Sequence, residues 1–152
     1  RYVIAASPQI VRSAGDVSME ETSRTSRGRK DVQKLLEQVK ASAMPADTKM
    51  LAEIRQACAE GRVEDARILR RGVDAVGRDT TRWQAAMLLG DTEGAYRILL
   101  PLDTEGKLPT LMQFMIYPDF DPSRYPNLNA RLIHEGVARR PVAPLPFACK
   151  TA

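Results

Sequence analysis

A chain of 152 residues, 43% hydrophobic and 28% charged, has room for one domain with its own core. A compact chain of that size buries roughly 70% of the surface its unfolded form exposes. Only 5% of residues are aromatic and the aliphatic set is rich in Ala and Leu, which argues against a sheet. The net charge of +4 is unevenly placed: residues 1–45 hold 8 Lys/Arg against 5 Asp/Glu, residues 46–106 hold 9 against 11, and residues 107–152 hold 6 against 3. The surplus therefore lies toward the ends and not on the central part, which argues against a nucleic-acid binder.

In chain order, residues 1–12 suit a short extended piece ended by Pro8, and residues 13–29 are a polar stretch without periodic apolar residues, read as a linker. Residues 1–29 are thus expected as a flexible or extended N-terminal segment. The start at Arg1 and not at Met suggests a processed product, a fragment or part of something longer. From residue 30 the pattern turns helical. Val32, Leu35, Leu36, Val39 and Ala43 make one stripe, closed by Pro45. Asp47 is placed to cap a second helix with Met50, Leu51, Ile54, Ala57 and Cys58, ended by Gly61. A third carries Val63, Ala66, Leu69, Val73 and Val76 and ends at Gly77. Asp79 or Thr80 opens a fourth, with Trp83, Ala86 and Met87, stopped by Gly90, and a fifth carries Ala95, Ile98, Leu99 and Leu102. A sixth, around Leu108 to Ile116, is apolar on most sides and is expected to be well buried. Pro118, Pro122 and Pro126 punctuate an irregular joint before a last helix with Leu128, Leu132 and Ile133, which ends before Gly136. The tail from 137 to 152 is proline-rich and is expected to be extended, polyproline-like or draped on the core. Each helix is short and each must bury its stripe on a neighbour, because none could persist alone in water. Short links make consecutive helices antiparallel neighbours.

Two stretches repeat. Gly61-Arg-Val-Glu64-Asp-Ala66 aligns with Gly90-Asp-Thr-Glu93-Gly-Ala95. In both, a glycine ends one helix, a glutamate suits the positive end of the next, and an alanine allows two helices to cross closely. This pattern resembles the turn at the centre of a tetratricopeptide repeat, where Gly-Asp-x-Glu-x-Ala is frequent. The interval of 29 residues is shorter than the 34 usual for that family. Trp83 stands where the family usually has a small residue, and its usual early Trp is absent, so the units are degenerate. The stretch Tyr117-Pro118-Asp119-Phe120-Asp121-Pro122-Ser123-Arg124-Tyr125-Pro126 through Leu132 is similar to the closing segment of many bacterial multidomain regulators. In those proteins tetratricopeptide-like repeats follow a TolB-like, nucleotide cyclase or winged-helix domain. Leu128 replaces their common Phe, and Tyr117 replaces an Asp. Residues 1–17 faintly resemble a strand pair of the TolB-like domain. The resemblance implies an all-α chain of short antiparallel helical hairpins, stacked as a tetratricopeptide-like solenoid over residues 30–136.

Signals for catalysis are weak. His134, the only histidine, falls at a helix end, where a capping role suits its charge. Asp119 and Asp121 could suggest a metal site but read better as turn and cap residues. Arg70-Arg71 and Arg139-Arg140 read as solvated charge. Cys58 and Cys149 form no metal spacing and no disulfide framework, and Cys58 reads as a small buried thiol in an apolar slot. No zinc spacing, phosphate-cradling loop or nucleophile elbow occurs, so no cofactor, metal or catalytic residue is expected. Trp83 reads first as core; if it faces a groove instead, Arg82, Trp83 and Gln84 become the partner-binding candidates. The expected function is that of a protein–protein interaction module taking a peptide or partner domain, as the C-terminal part of a bacterial signalling or regulatory protein. The alternatives are a nucleic-acid-binding helical repeat and a regulatory fragment of an enzyme such as a nucleotide cyclase. The cytoplasm is the expected compartment, or the periplasm if a TolB-like or membrane-anchored domain precedes. No apolar run approaches the ~20 residues of a membrane span.

Overall fold

The computed structural model of the chain describes residues 26–146 and 148–150. The strand pair and most of the linker expected in residues 1–29 lie outside them. Among the described residues the chain is all-helical, without a strand: α1 Ser26–Ala41, α2 Ala46–Ala59, α3 Val63–Val76, α4 Asp79–Leu88, α5 Thr92–Thr104, α6 Leu108–Met112 and α7 Pro126–His134. Short 3-10 turns occupy Gln113–Ile116 and Pro122–Arg124. No described helix is long and apolar enough to cross a membrane. The first helix starts at Ser26, so residues 26–29 are helix and not linker.

Four helices end in the same way. Gly61, Gly90, Gly106 and Gly136 all hold positive φ, between 67° and 75°. After each, the next amide reaches back to a carbonyl five residues earlier: Arg62 to Ala57, Asp91 to Ala86, Lys107 to Leu102 and Val137 to Leu132, at 2.8–3.0 Å. This is the left-handed helix stop for which glycine has no steric penalty. The sequence pattern locates Gly61, Gly90 and Gly136 but not Gly106. Gly77 also ends a helix, but in extended backbone (φ −80°, ψ 155°). Its glycine is needed for closeness, because a Cβ there would stand 2.5 Å from the Val73 carbonyl oxygen.

The helices pack mainly on their sequence neighbours, α2 on α3 and α4 on α5, with α2 also against α4. Two apolar clusters result. One gathers Leu51, Ile54, Ala57, Cys58, Ala66, Val73, Ala85, Leu88 and Cys149; the other gathers Trp83, Ala86, Ala95, Leu99, Leu111, Phe114, Phe120, Tyr125, Leu128 and Leu132. α4 is the wall between them, giving Ala85 and Leu88 to one side and Trp83 and Ala86 to the other. Ala57, Ala66, Ala85, Ala86 and Ala95 are all fully buried, as close helix crossings require. Three apolar residues expected inside are outside: Val76, Ile116 and Ile133 are 67%, 74% and 65% exposed. Each lies at or next to the last residue of its element, where the chain turns away from the cluster.

Two buried carboxylates fasten elements that are distant in sequence. Asp47 does not cap its own helix: it lies in the first turn of α2, behind Pro45. Its Oδ2 accepts from the Arg78 amide and Nε, both at 3.0 Å, and its Oδ1 from Arg78 Nη2 at 3.2 Å, tying α2 to the start of α4. These bonds, chiefly the Arg78 side chain, hold the Asp47 carboxyl well below the usual carboxylate range. A depressed folded pKa adds stability that is complete above the unfolded value near 4 and is lost as pH falls toward the folded one. Urea midpoints should therefore fall more steeply below pH 4 in the wild type than in Asp47→Asn, which lacks the titrating group. Asp103, 1% exposed, accepts from the amides of Asn127 and Leu128 at 3.2 and 2.8 Å and so caps α7 from the end of α5. Asp103→Ala should cost about 2 kcal/mol in urea denaturation, the upper part of the range for a lost helix cap.

Candidate functional site

The tail after Gly136 has no regular structure and is tied down at successive points. Arg139 donates to the Asn129 side chain, and Arg140 to the carbonyls of Met115 and Tyr117. The Ala143 amide donates to the Pro118 carbonyl at 2.9 Å, and the Cys149 amide to the Leu88 carbonyl at 2.7 Å. Leu145 packs on the first apolar cluster. Cys149 forms a disulfide with Cys58 across 91 positions of sequence. Cys58 is thus half of a cross-link and not a buried thiol. Spacing cannot reveal a pair whose halves meet only because the tail returns across α4 to α2. Arg139 and Arg140, likewise, are exposed but engaged with the body.

This strap lines one side of a partly open cavity of about 540 Å³. It is lined by Trp83 and Met87 from α4, Ala95 and Tyr96 from α5, Phe120 and Tyr125 from the proline-punctuated joint, and Val142–Leu145 with Ala148 from the strap. That volume falls among sites that hold small ligands or short side-chain groups. The rings form one connected set. Trp83 lies 6.0 Å from Phe120, Phe120 stacks on Tyr125 at 5.4 Å, and Tyr125 lies 5.3 Å from Tyr96. Behind them Trp83 also meets Phe114 and Tyr117, at 5.5 and 5.3 Å. At the mouth, the Arg124 guanidinium stands 4.4 Å over the Tyr96 ring and pairs with Glu93 at 2.6 Å. Burial pushes the hydroxyls of Tyr117 and Tyr125 up, so both remain neutral at physiological pH.

The two aspartates of the joint part company. Asp121 is a cap: its Oδ1 accepts from the Ser123 amide at 3.0 Å and hydroxyl at 2.6 Å. Asp119 is not. It is 6% exposed, lines the cavity, and its Oδ1 is buried without a hydrogen-bond partner. Burial raises its pKa, against the pull of its own backbone amide. Among the described residues no group of three or more His, Cys, Asp and Glu is placed to hold a metal.

The candidate trio on α4 points three ways. Trp83 is 2% exposed and joins the ring cluster, with part of its surface on the cavity. Arg82 lies by Gly77 and pairs with Asp79 at 3.2 Å. Gln84 is buried, accepts from Arg55 at 3.4 Å and bonds the Tyr117 hydroxyl. The structure therefore brings Trp83 alone of the three to the cavity. Tyr96 and Tyr125 also line the cavity, and neither is among the candidates read from the sequence. The available signal was the run Phe114, Tyr117, Phe120, Tyr125, an aromatic density far above the rest of the chain. A second, smaller hollow of about 290 Å³ lies between α1 and the α2–α3 hairpin, beside Leu36, Ile68 and Leu69. It is rimmed by the pairs Lys40–Glu53 and Arg62–Asp65. Comparison with protein-family models, curated proteins and solved structures finds no match to this chain.

Proposed function

We propose that the chain is a protein–protein interaction module, a short tetratricopeptide-like stack that holds an extended segment of a partner across the face between α4 and the aromatic joint. The strap is the observation that carries this reading. It is an extended, proline-rich segment lying on that face, held by main-chain hydrogen bonds to Pro118 and Leu88 and by the seating of Leu145. Extended peptides are bound in this way elsewhere: main-chain bonds give affinity, aromatic grooves accept proline-rich chain, and alternate side chains find pockets. On this reading the strap is the intramolecular occupant of a peptide site. The repeated Gly61 and Gly90 turns, with buried Ala66 and Ala95, support the tetratricopeptide-like reading of the hairpins. The engagement of Arg139 and Arg140 with the body speaks against nucleic acid as the partner. A disulfide persists in oxidising surroundings, so the cross-link favours the periplasmic alternative over the cytoplasm.

The test uses the full chain with Cys149→Ser, which frees the strap, and a labelled peptide of residues 138–150 that carries the same replacement. Fluorescence anisotropy should show saturable binding to the Cys149→Ser chain and at least roughly tenfold weaker binding to the oxidised wild type, whose own strap competes at high effective concentration. Equal binding to both, or none to either, would refute a peptide site under the strap.

A further inference from the structure

The strap is joined to the body at points that an identical strap from elsewhere could use equally well. Arg140 donates to the carbonyls of Met115 and Tyr117, the Ala143 amide to Pro118, and the Cys149 amide to Leu88. Leu145 packs on the first apolar cluster, and Cys149 is bonded to Cys58. Every one of these acceptors and seats belongs to the body, so each contact is the same whichever copy supplies the strap. The end of α7 holds the chain only as far as Arg139, through the Val137 amide to Leu132 and Arg139 to Asn129. Beyond it Pro141, Pro144 and Pro146 favour extended backbone, so a free arm of residues 140–149 projects and does not fold back. At about 3.1 Å per residue it reaches roughly 30 Å.

A second observation lies at the root of the strap. Six large apolar side chains are exposed among the described residues, and four of them gather there: Ile116, Ile133, Val137 and Val142. Val137 follows Ile133 by about one turn, and Ile116 stands between the two residues whose carbonyls bind Arg140, close to Val142. Exposed apolar side chains gathered on one face mark a contact surface. When two copies trade arms, the crossing point lies beside a two-fold axis, and the surface at the root of each arm meets its own counterpart. An apolar patch is self-complementary in that position, whereas a charged one would repel itself.

We propose that the partner of the strap face is a second copy of this chain. Two copies exchange residues 140–149, each strap seated on the other's α4 and joint and cross-linked to its Cys58, with Ile116, Ile133, Val137 and Val142 forming the contact between the copies. The inference rests on the peptide-site reading of that face and adds the identity of the occupant. The seat is matched to this sequence, as the closed chain shows, and a second copy carries that sequence. Exchange costs little, because the contacts made between copies equal those given up within one. The closed single chain competes through the high local concentration of its own strap, so the exchanged form gains as protein concentration rises.

Two full-length variants make exchange visible. Cys58→Ser keeps Cys149 and Cys149→Ser keeps Cys58, so neither can close the bond within one chain. They are mixed, oxidised with glutathione disulfide and read on a non-reducing gel and by mass spectrometry. The expected product is the Cys149–Cys58 heterodimer, at least roughly tenfold above the self-linked dimer of either variant, since a seated strap brings these two sulfurs together. Its Cys149 amide should be protected from hydrogen exchange by the bond to Leu88, which a collision cross-link would not make. Ile116→Asp with Ile133→Asp in both variants should lower the yield at least roughly tenfold by placing like charges across the axis. Both positions are exposed, so circular dichroism should not change. No heterodimer above the self-linked background, an unprotected Cys149 amide within it, or a yield indifferent to the two aspartates would overturn the proposal. Saturable binding of the 138–150 peptide without heterodimer would overturn the exchange and leave the peptide site standing.

Discussion

Trp83→Ala should be the most damaging single replacement in the chain, lowering stability by about 4 kcal/mol. Trp83 is 2% exposed and meets Phe114, Tyr117 and Phe120 at 5.3–6.0 Å, so truncation removes a large buried side chain and leaves its ring neighbours facing a void. Aromatic-to-alanine changes in cores cost about 3–5 kcal/mol, depending on how far the site collapses. The existing cavity beside it argues against much collapse. Such a loss is a large part of the ~5–15 kcal/mol that holds a domain of this size. Trp83→Phe keeps most of the contact surface and should cost about half as much. Urea denaturation followed by far-ultraviolet circular dichroism measures both. A loss below about 1 kcal/mol for Trp83→Ala would mean that the ring is not in the core.

The second large effect belongs to the disulfide. Cys58 and Cys149 close a loop 91 positions long. The entropy such a closure removes from the unfolded chain corresponds to about 4–5 kcal/mol, of which about 2–4 is typically realised. Cys149→Ser, or reduction of the wild type, should therefore lower the melting temperature by roughly 10 °C, since about 3 kcal/mol moves a domain of this length by about 3–4 °C per kcal/mol. The two variants should agree with each other. Calorimetry with and without a phosphine reductant checks this, and an unchanged melting temperature would mean that the strap is not cross-linked.

What the sequence reveals depends on the range of the interaction. Helix positions were readable because their causes are local. Leu51, Ile54 and Cys58 recur at helical spacing, and Gly61, Gly90 and Gly136 stop helices where left-handed backbone is needed. The close-crossing role of Ala66 and Ala95 could be read from the repeated turn. What escaped depends on partners distant in sequence. Asp47 looks like a helix cap until Arg78, 31 residues on, lies beside it. The two cysteines look unrelated until the tail comes back across α4. Asp119 and Asp121 share the same local motif, yet only the folded joint separates the partly exposed cap from the buried carboxylate with one oxygen unpartnered. Tyr96 and Tyr125 matter because α5 and the joint bring their rings together, which no spacing in the chain reports.

The C-terminal strap should behave as a separable segment that lies against the aromatic joint. Amide hydrogen exchange on the oxidised and reduced chain tests it most directly. In the oxidised chain the amides of Ala143 and Cys149, which donate to Pro118 and Leu88, should be protected. On reduction their protection should fall by at least about tenfold, while amides around the buried Leu99, Leu111 and Leu128 stay slow. Loss of protection throughout the core on reduction, or no protection at Ala143 and Cys149 in the oxidised chain, would mean that the strap is not a separable segment.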